Sequence, residues 1–414
     1  MATRRSLEIQ AEELNRKQRN LRKYLSYSAK DFWSKTSLNR NGGQPVGCSV
    51  ISGGTVAKRK SVLLSMLEQV TESEIPTVMI VDGSVIPNID DRMIELVTRN
   101  PGTQLIITST ENSNYDFFSG WTVSQIVDFF VTCVTCDGGS SANMPSYLHQ
   151  YFNLVEKVYG EVTLRTLMDA AEMAEGGLEV IEGLEQRLGD EIDTKTRITL
   201  NYLRKTTDQR QHCEAMVRKV RDGLGALQTE NVGYSLKKCL PGSGEIILIH
   251  TEDVSNPELL AAYFEKEMSS RKRLPFQLIV CECVDEKMTS WAKTLINTGS
   301  AVTFCTQSIY AALGEDSMKL PFQNMVFLFN NGSVPLNAER ELAMLGSIDF
   351  WQVTEGGSSP PVAFSYWTGT HAGIVNTNQN KVMPQDVEGC EAVLYGHSRF
   401  LSKNEIALVR KLCD

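Results

Sequence analysis

The chain has 414 residues, of which 42% are hydrophobic and 22% charged, and its formal net charge is −9. This is the composition of a globular protein with enough apolar material for a large core, so a disordered, collagen-like or fibrous chain is excluded. The negative charge also excludes a protein that coats DNA uniformly through lysine and arginine contacts to phosphates. At about 150 residues per domain, the length predicts two or three structural units.

Residues 1–44 are predicted to form a basic N-terminal arm, because residues 1–40 carry a net charge of +6 and leave −15 for the rest of the chain. Apolar or neutral residues recur there mostly at steps of three and four, as on one face of an amphipathic helix: Leu7, Ala11, Leu14, Gln18, Leu21, Leu25 and Phe32. Two interpretations are open. The helix either packs on the protein body or docks on a membrane surface or a partner.

From residue 46 onward, short β-rich runs alternate with helical patterns, which is typical of a parallel α/β sheet. The predicted strands are 46–51, 77–81, 104–108, 245–250, 276–283, 301–306 and 325–329, and the predicted helices include 61–70, 257–269 and 288–295. Residues from about 145 to 232 contain almost no β-branched runs and have helical periodicity. Residues 141–232 are therefore predicted to be an all-α domain inserted into the α/β domain of 45–140 and 233–414. The first half of the insert is acidic and the second half basic, which opposed packed helices explain as well as a partner surface does.

No run reaches the roughly 18 apolar residues of a membrane span, and the N-terminus has no secretory signal pattern. The ten cysteines therefore predict reduced thiols in a cytoplasmic protein. Cys133 and Cys136 form a CxxC pair, but the second pair that a structural zinc site needs is missing.

The segment 53–61 resembles the phosphate-binding loop GxxxxGK[S/T], in which backbone N–H groups surround the phosphates at the start of a helix. Gly54 takes the place of the first glycine, Lys60 that of the lysine and Ser61 that of the hydroxyl that holds magnesium, while Arg59 replaces the second glycine. Thr55 and Lys58 complete the predicted nucleotide contacts. The alternative interpretation is a glycine turn followed by a basic helix start.

Two later strands end in polar residues that suit nucleotide hydrolysis. The strand 277–282 ends with Cys281 at the place of a magnesium-linked aspartate and Glu282 at the place of the acid that polarises the attacking water. The strand 302–307 ends in Gln307, an amide that could sense the terminal phosphate. A buried structural strand that happens to end in glutamate is the alternative for Glu282.

In this order, the elements resemble the cytosolic part of the type IV secretion and conjugation coupling ATPases, within the FtsK/HerA class of RecA-like motors. The similarity covers about residues 45–400 and includes Val81-Asp-Gly after the first helix and the helical insert before the second half of the sheet. It implies a RecA-like P-loop fold with a mainly parallel twisted sheet, ATP and Mg²⁺ as cofactors, and a hexameric ring that moves DNA or recruits substrates at a secretion channel.

Three departures from the family pattern weaken the expectation of motor activity. Arg59 fills a glycine position, Cys281 removes an acid, and 295–299 lacks the arginine that such rings place before a glycine. The leading hypothesis is therefore a degenerate coupling-type ATPase, a pseudo-ATPase that acts as scaffold or adaptor among secretion or conjugation proteins. The alternative is an active ATP-driven DNA translocase in which Glu282 and Gln307 are catalytic. An unrelated P-loop kinase has no supporting acceptor site.

Overall fold

The computed structural model describes residues 4–19, 22–25, 47–71, 75–100, 102–108, 115–134, 143–172, 177–189, 192–225, 244–251, 256–270, 276–285, 288–330, 337–357, 370–396 and 406–409. The chain forms two compact units. The first contains Met1–Ser37, Ser49–Met66 and Thr306–Asp414, and the second contains Leu38–Cys48 and Leu67–Cys305.

The helices are α1 (Arg4–Arg19), α2 (Val56–Thr71), α3 (Ile89–Arg99), α4 (Val123–Cys133), α5 (Met144–Tyr159), α6 (Leu164–Glu172), α7 (Gly177–Leu188), α8 (Thr194–Lys205), α9 (Thr207–Leu224), α10 (Pro257–Ser270), α11 (Met288–Asn297), α12 (Ile309–Leu313) and α13 (Ala338–Ala343). The strands are β1 (Arg22–Leu25), β2 (Gly47–Gly53), β3 (Thr77–Val81), β4 (Thr103–Thr108), β5 (Gly244–His250), β6 (Gln277–Cys281), β7 (Ala301–Thr306), β8 (Phe322–Leu328), β9 (Ser347–Gly357), β10 (Thr370–Asn380), β11 (Ala392–Gly396) and β12 (Ile406–Val409).

The second unit is built on parallel strands in the order β7-β6-β3-β5-β4. Every residue of β3 and β6 is buried, which is expected where helices cover both faces of a parallel sheet. Six of the described helices, α4 to α9, separate β4 from β5 along the chain, although these strands are neighbours in the sheet. The predicted interruption of a parallel sheet by a helical segment is therefore confirmed. The limits 141–232 for a separate domain stay a prediction.

The helical segment packs through the apolar positions that its periodicity predicts. Ile181, Leu184 and Leu188 on α7 are buried, whereas Leu178 at the start of the same pattern is 40% exposed. Arg204 of the basic half pairs with Glu185 of the acidic half. The two oppositely charged halves thus contact each other within the unit.

The first unit combines strands in the order β1-β12-β11-β8-β2 with the antiparallel hairpin β9-β10. β11 is antiparallel to both of its neighbours. α1 packs on the hairpin. Among its described side chains, Ala11 of the predicted face and the neighbouring Asn15 are buried. This arrangement agrees with a helix packed on the protein body.

The N-terminal prediction needs one correction, because the helix ends at Arg19 and Leu25 belongs to strand β1. β1 pairs in parallel with β12, whose four residues are all buried. A buried strand needs partners for its backbone groups, so this pairing overrides the helical periodicity of the sequence. Phe32 lies outside the described residues. Among the helices that are described, none is long and apolar enough to cross a bilayer.

The helical segment offers a matched test of burial on one helix. Leu200 and Ile198 both lie on α8, with exposed fractions of 1% and 66%. Leu200→Ala should lower the free energy of unfolding by about 2–5 kcal/mol through cavity formation. Ile198→Ala should change it by less than about 0.5 kcal/mol. Urea denaturation followed by circular dichroism measures both, and equal losses would contradict the assigned packing.

Candidate functional site

The glycine-rich segment predicted to bind phosphate forms a tight turn between β2 and α2. Gly53 and Gly54 have φ angles of 86° and 66°. A Cβ atom would lie 2.3 Å from the carbonyl oxygen of Leu328 at Gly53, and 2.7 Å from the Cβ of Leu328 at Gly54. Only glycine fits such positions without strain. The close approach of β8 therefore requires both glycines, independently of any ligand.

The helix α2 starts immediately after this turn. It begins at Val56, and the hydroxyl of Thr55 accepts a hydrogen bond from the N–H of Lys58 at 3.3 Å. The carbonyl of Thr55 accepts the N–H of Arg59 at 3.0 Å. In a phosphate-binding loop these N–H groups surround the phosphates, but here those from Lys58 onward are used to start the helix. The segment is therefore a capped helix start with a very short turn before it.

Arg59 occupies the position of the second motif glycine, and its side chain folds back onto the turn. Its Nη1 donates hydrogen bonds to the carbonyl oxygens of Gly53 at 2.9 Å and Gly54 at 3.0 Å. The residue is only 3% exposed. A guanidinium carries a permanent positive charge, so the turn already contains a cation that belongs to the protein.

The other predicted nucleotide-contacting residues of the first unit differ in exposure and in hydrogen-bond partners. The Nζ of Lys58 donates to the carbonyl of Phe329 at 3.0 Å and lies 4.0 Å from the carboxylate of Glu391. Lys60 is half-buried and Ser61 is exposed, both within the first turns of α2. Gln307 is exposed and directly follows β7. Lys58 is thus held by the segments that follow β8 and precede β11.

The two predicted residues at the end of β6 belong to the second unit. Glu282 has a left-handed backbone with a φ of 63°, and its N–H donates to the carbonyl of Cys305 at 2.7 Å. Cys281 is fully buried, and burial together with a hydrogen bond to Cys305 raises the pKa of its thiol well above the ordinary value. The thiol is therefore neutral, whereas Mg²⁺ requires oxygen ligands such as carboxylates.

A buried carboxylate that the sequence did not reveal lies close to the turn. Glu341 of α13 is 5% exposed, and its Oε1 accepts hydrogen bonds from the hydroxyls of Ser52 at 3.1 Å and Ser308 at 2.7 Å. Ser52 precedes Gly53, and Ser308 follows Gln307. A signal was present in the sequence, since Glu341 shares the helix face of the buried residues Ala338 and Leu342.

The second unit contains a cleft of about 220 Å³ where β3 and β5 end. The imidazole Nε2 of His250 lies 2.7 Å from Oδ1 of Asp90 at the edge of this cleft. None of the predicted catalytic or cofactor-binding residues lines it, although Gly83 of the Val81-Asp-Gly segment does. The structure therefore contains a polar cleft to which the sequence assigned no catalytic or binding residue.

Comparisons with known proteins find similarity in structure. No family model and no curated protein matches the chain. The unbound monoclinic form of the bacterial conjugative coupling protein TrwBdeltaN70 has a TM-score of 0.50 and 13% identity, and the match covers 96% of this chain and 91% of that one. The fold is that of a RecA-like P-loop NTPase. The predicted resemblance in fold to conjugation coupling ATPases is thereby confirmed, and identity this low shows the fold alone.

Two further solved structures are similar with lower scores. A trigonal form of TrwBdeltaN70 in complex with sulphate is 14% identical, covers 95% of both chains and has a TM-score of 0.49. VirB4 of Thermoanaerobacter pseudethanolicus is 9% identical over 70% of this chain and 79% of that one, with a TM-score of 0.37. The fold assignment rests on the first comparison.

The contacts of Arg59 predict a structural role for its charge. Arg59→Met keeps much of the side-chain volume but leaves the Gly53 and Gly54 carbonyls without their donor, so it should lower the free energy of unfolding by about 1.5–3 kcal/mol. Arg92→Met removes an exposed arginine that pairs with Glu95 and should cost at most about 1 kcal/mol. Urea denaturation of both variants is the measurement, and a neutral Arg59→Met would contradict the buried contact.

The burial of Glu341 predicts a pH-dependent contribution to stability. Burial raises the pKa of this carboxyl above its ordinary value of 4.5, against the opposing effect of its hydrogen bonds to Ser308 and Ser52. The folded protein then binds the proton more tightly than the unfolded chain, so this group costs stability as pH rises above about 4.5 and through the raised folded-state pKa.

Glu341→Gln removes that titration and keeps an amide oxygen as acceptor. Its stability relative to the wild type should rise across this pH window, with a slope of at most about 1.4 kcal/mol per pH unit. Glu339→Gln, at an exposed position of the same helix, should differ from the wild type by no more than about 0.5 kcal/mol throughout. Denaturation at a series of pH values tests this, and a difference that falls with pH would contradict it.

Proposed function

We propose that this protein is a degenerate coupling-type ATPase, which acts as a scaffold or adaptor in a conjugation or type IV secretion apparatus and does not hydrolyse ATP. The observation that carries the proposal is the position of Arg59. Its guanidinium donates to both carbonyls of the Gly53–Gly54 turn, at the place where the motif needs a residue without a side chain. The similarity in fold to a bacterial conjugative coupling protein supports the type of apparatus.

Two further features support the absence of hydrolysis. Phosphoryl transfer depends on positioning and on charges that stabilise the transition state, and metal ions neutralise much of the developing charge. Cys281, at the place of the magnesium-linked acid, is a buried neutral thiol. The end of α11 and the turn after it, residues 295–299, contain no arginine that could reach a neighbouring subunit. ATP and Mg²⁺ are therefore cofactors only if the turn opens.

The second candidate function is an active ATP-driven DNA translocase. It is favoured by the left-handed backbone of Glu282, since a strained non-glycine residue costs about 1–2 kcal/mol and often marks a functional position. In that case Gly54, Thr55, Lys58 and Lys60 would contact phosphates and Ser61 would hold magnesium. Glu282 would activate water, and Gln307 would sense the terminal phosphate.

The proposed partners are proteins of the secretion or conjugation apparatus, and DNA if the second candidate is correct. From the family resemblance we also propose that the protein assembles as a hexameric ring. The proposed location is the cytoplasm, at the inner face of the membrane where such an apparatus stands. Since α1 packs on the hairpin β9-β10, peripheral docking would use its outer face.

Calorimetric titration with Mg·ATP, together with phosphate release with and without DNA, separates the two candidates. The scaffold proposal predicts no saturable binding at about 1 mM ATP, which corresponds to less than about 4 kcal/mol of binding free energy. It also predicts no turnover with DNA. The control is Lys60→Ala, which should behave like the wild type. Tight binding and DNA-stimulated turnover that Lys60→Ala abolishes would contradict the scaffold proposal and support the translocase.

A further inference from the structure

Glu341 connects two segments of the first unit that carry predicted phosphate-facing residues. Its Oε1 accepts hydrogen bonds from Ser52, at the end of β2, and from Ser308, at the start of α12. The N–H of Tyr310 points at the same oxygen at 3.5 Å. Ser52 is adjacent to the glycine turn, and Ser308 is adjacent to Gln307. One buried carboxylate oxygen therefore lies between the turn and the segment of Gln307.

Both serine hydroxyls donate to Glu341, because an ionised carboxylate can only accept hydrogen bonds. The Ser52 hydroxyl accepts the N–H of Ile309 at 3.0 Å, and the Ser308 hydroxyl accepts the N–H of Ala311 at 3.2 Å. Both hydroxyl protons then go to Glu341, which is their common acceptor. Without that acceptor two poorly solvated donors would remain unsatisfied, and such donors destabilise the arrangement that buries them.

We propose that Glu341 is a positioning residue that joins the Gly53–Gly54 turn and the Gln307 segment into one rigid element. Arg59 holds the turn from the side of α2, and Glu341 holds it through Ser52 from the side of α13. The turn is thus fixed at both ends and stays closed. This inference rests on the proposed function, since it explains how a turn that resembles a phosphate-binding loop is kept in a conformation that binds no nucleotide.

Hydrogen exchange of the full chain, followed by mass spectrometry, tests the inference. Glu341→Leu has no acceptor, whereas Glu341→Gln keeps one. The leucine variant should speed exchange at least about tenfold in two peptides at once, 50–60 and 305–313. The glutamine variant should stay within about twofold of the wild type. The internal reference is β3, whose exchange should not change, so a global loss of stability is recognised.

The control variant is Asn324→Ala. Asn324 on β8 donates to the hydroxyl of Ser49 at 3.2 Å, so this variant disturbs β2 without touching Glu341. It should leave exchange in 305–313 unchanged. If Glu341→Leu accelerates only one of the two peptides, or if Glu341→Gln behaves like Glu341→Leu, the inference is overturned.

A second set of variants keeps the test valid if Glu341→Leu does not fold. Ser308→Ala should speed exchange in 50–60 as well as in 305–313, because Glu341 accepts hydrogen bonds from both Ser308 and Ser52. In the peptide 50–60, the double variant Ser52→Ala/Ser308→Ala should exchange no more than about twofold faster than the faster single variant, because both substitutions act on one hydrogen-bond network. Fully additive effects would overturn the inference. Exchange needs no nucleotide, so this result is independent of the ATP titration that tests the proposed function.

Discussion

The conformation of the turn between β2 and α2 depends on the contact between the Arg59 guanidinium and the carbonyls of Gly53 and Gly54. The two glycines are required because β8 approaches so closely that no Cβ atom fits. Their carbonyls would otherwise need other donors. Arg59 supplies both hydrogen bonds from the first turn of α2. The feature that resembles a phosphate loop in sequence is therefore hydrogen-bonded to a cation of the protein itself.

The fold does not depend on whether the residues of the predicted nucleotide site are catalytically active. Strands β3, β6 and β7 are buried along their whole length, and their apolar side chains would pack equally well in an active enzyme or an inactive one. Cys281 illustrates the point, since a neutral thiol packs in the core more easily than a carboxylate that needs a metal ion. The RecA-like fold alone therefore does not decide whether the turn binds or hydrolyses a nucleotide.

Much of the second unit could be predicted from the sequence. Strands β3 and β7 have the predicted limits, because continuous β-branched runs between turns identify buried parallel strands. Helix α2 begins at Val56, five residues before the predicted start at Ser61, because the glycine-rich motif predicts a loop where Thr55 already caps the helix. The hairpin β9-β10 was missed, because its strands consist largely of polar residues and glycine.

The sequence predicts those site residues that lie on one continuous segment, and it does not predict those that meet only in the folded chain. Local spacing identified Gly54, Lys60 and Arg59, since they lie on one continuous segment. Glu341 was not identified, because it meets Ser52 across 289 positions of sequence. His250 and Asp90 are likewise far apart in sequence and meet only in the folded chain. Long-range polar contacts of this kind leave almost no local pattern.

Arg59 is proposed to close the Gly53–Gly54 turn and to exclude a nucleotide phosphate from it. An experimental structure determined in the presence of millimolar Mg·ATP tests this most directly. The expected result is an Arg59 guanidinium bound to the carbonyls of Gly53 and Gly54, with no nucleotide density at the turn. A structure with phosphates at the turn, Arg59 displaced, and Lys60 and Ser61 in contact with the nucleotide and its metal would contradict it.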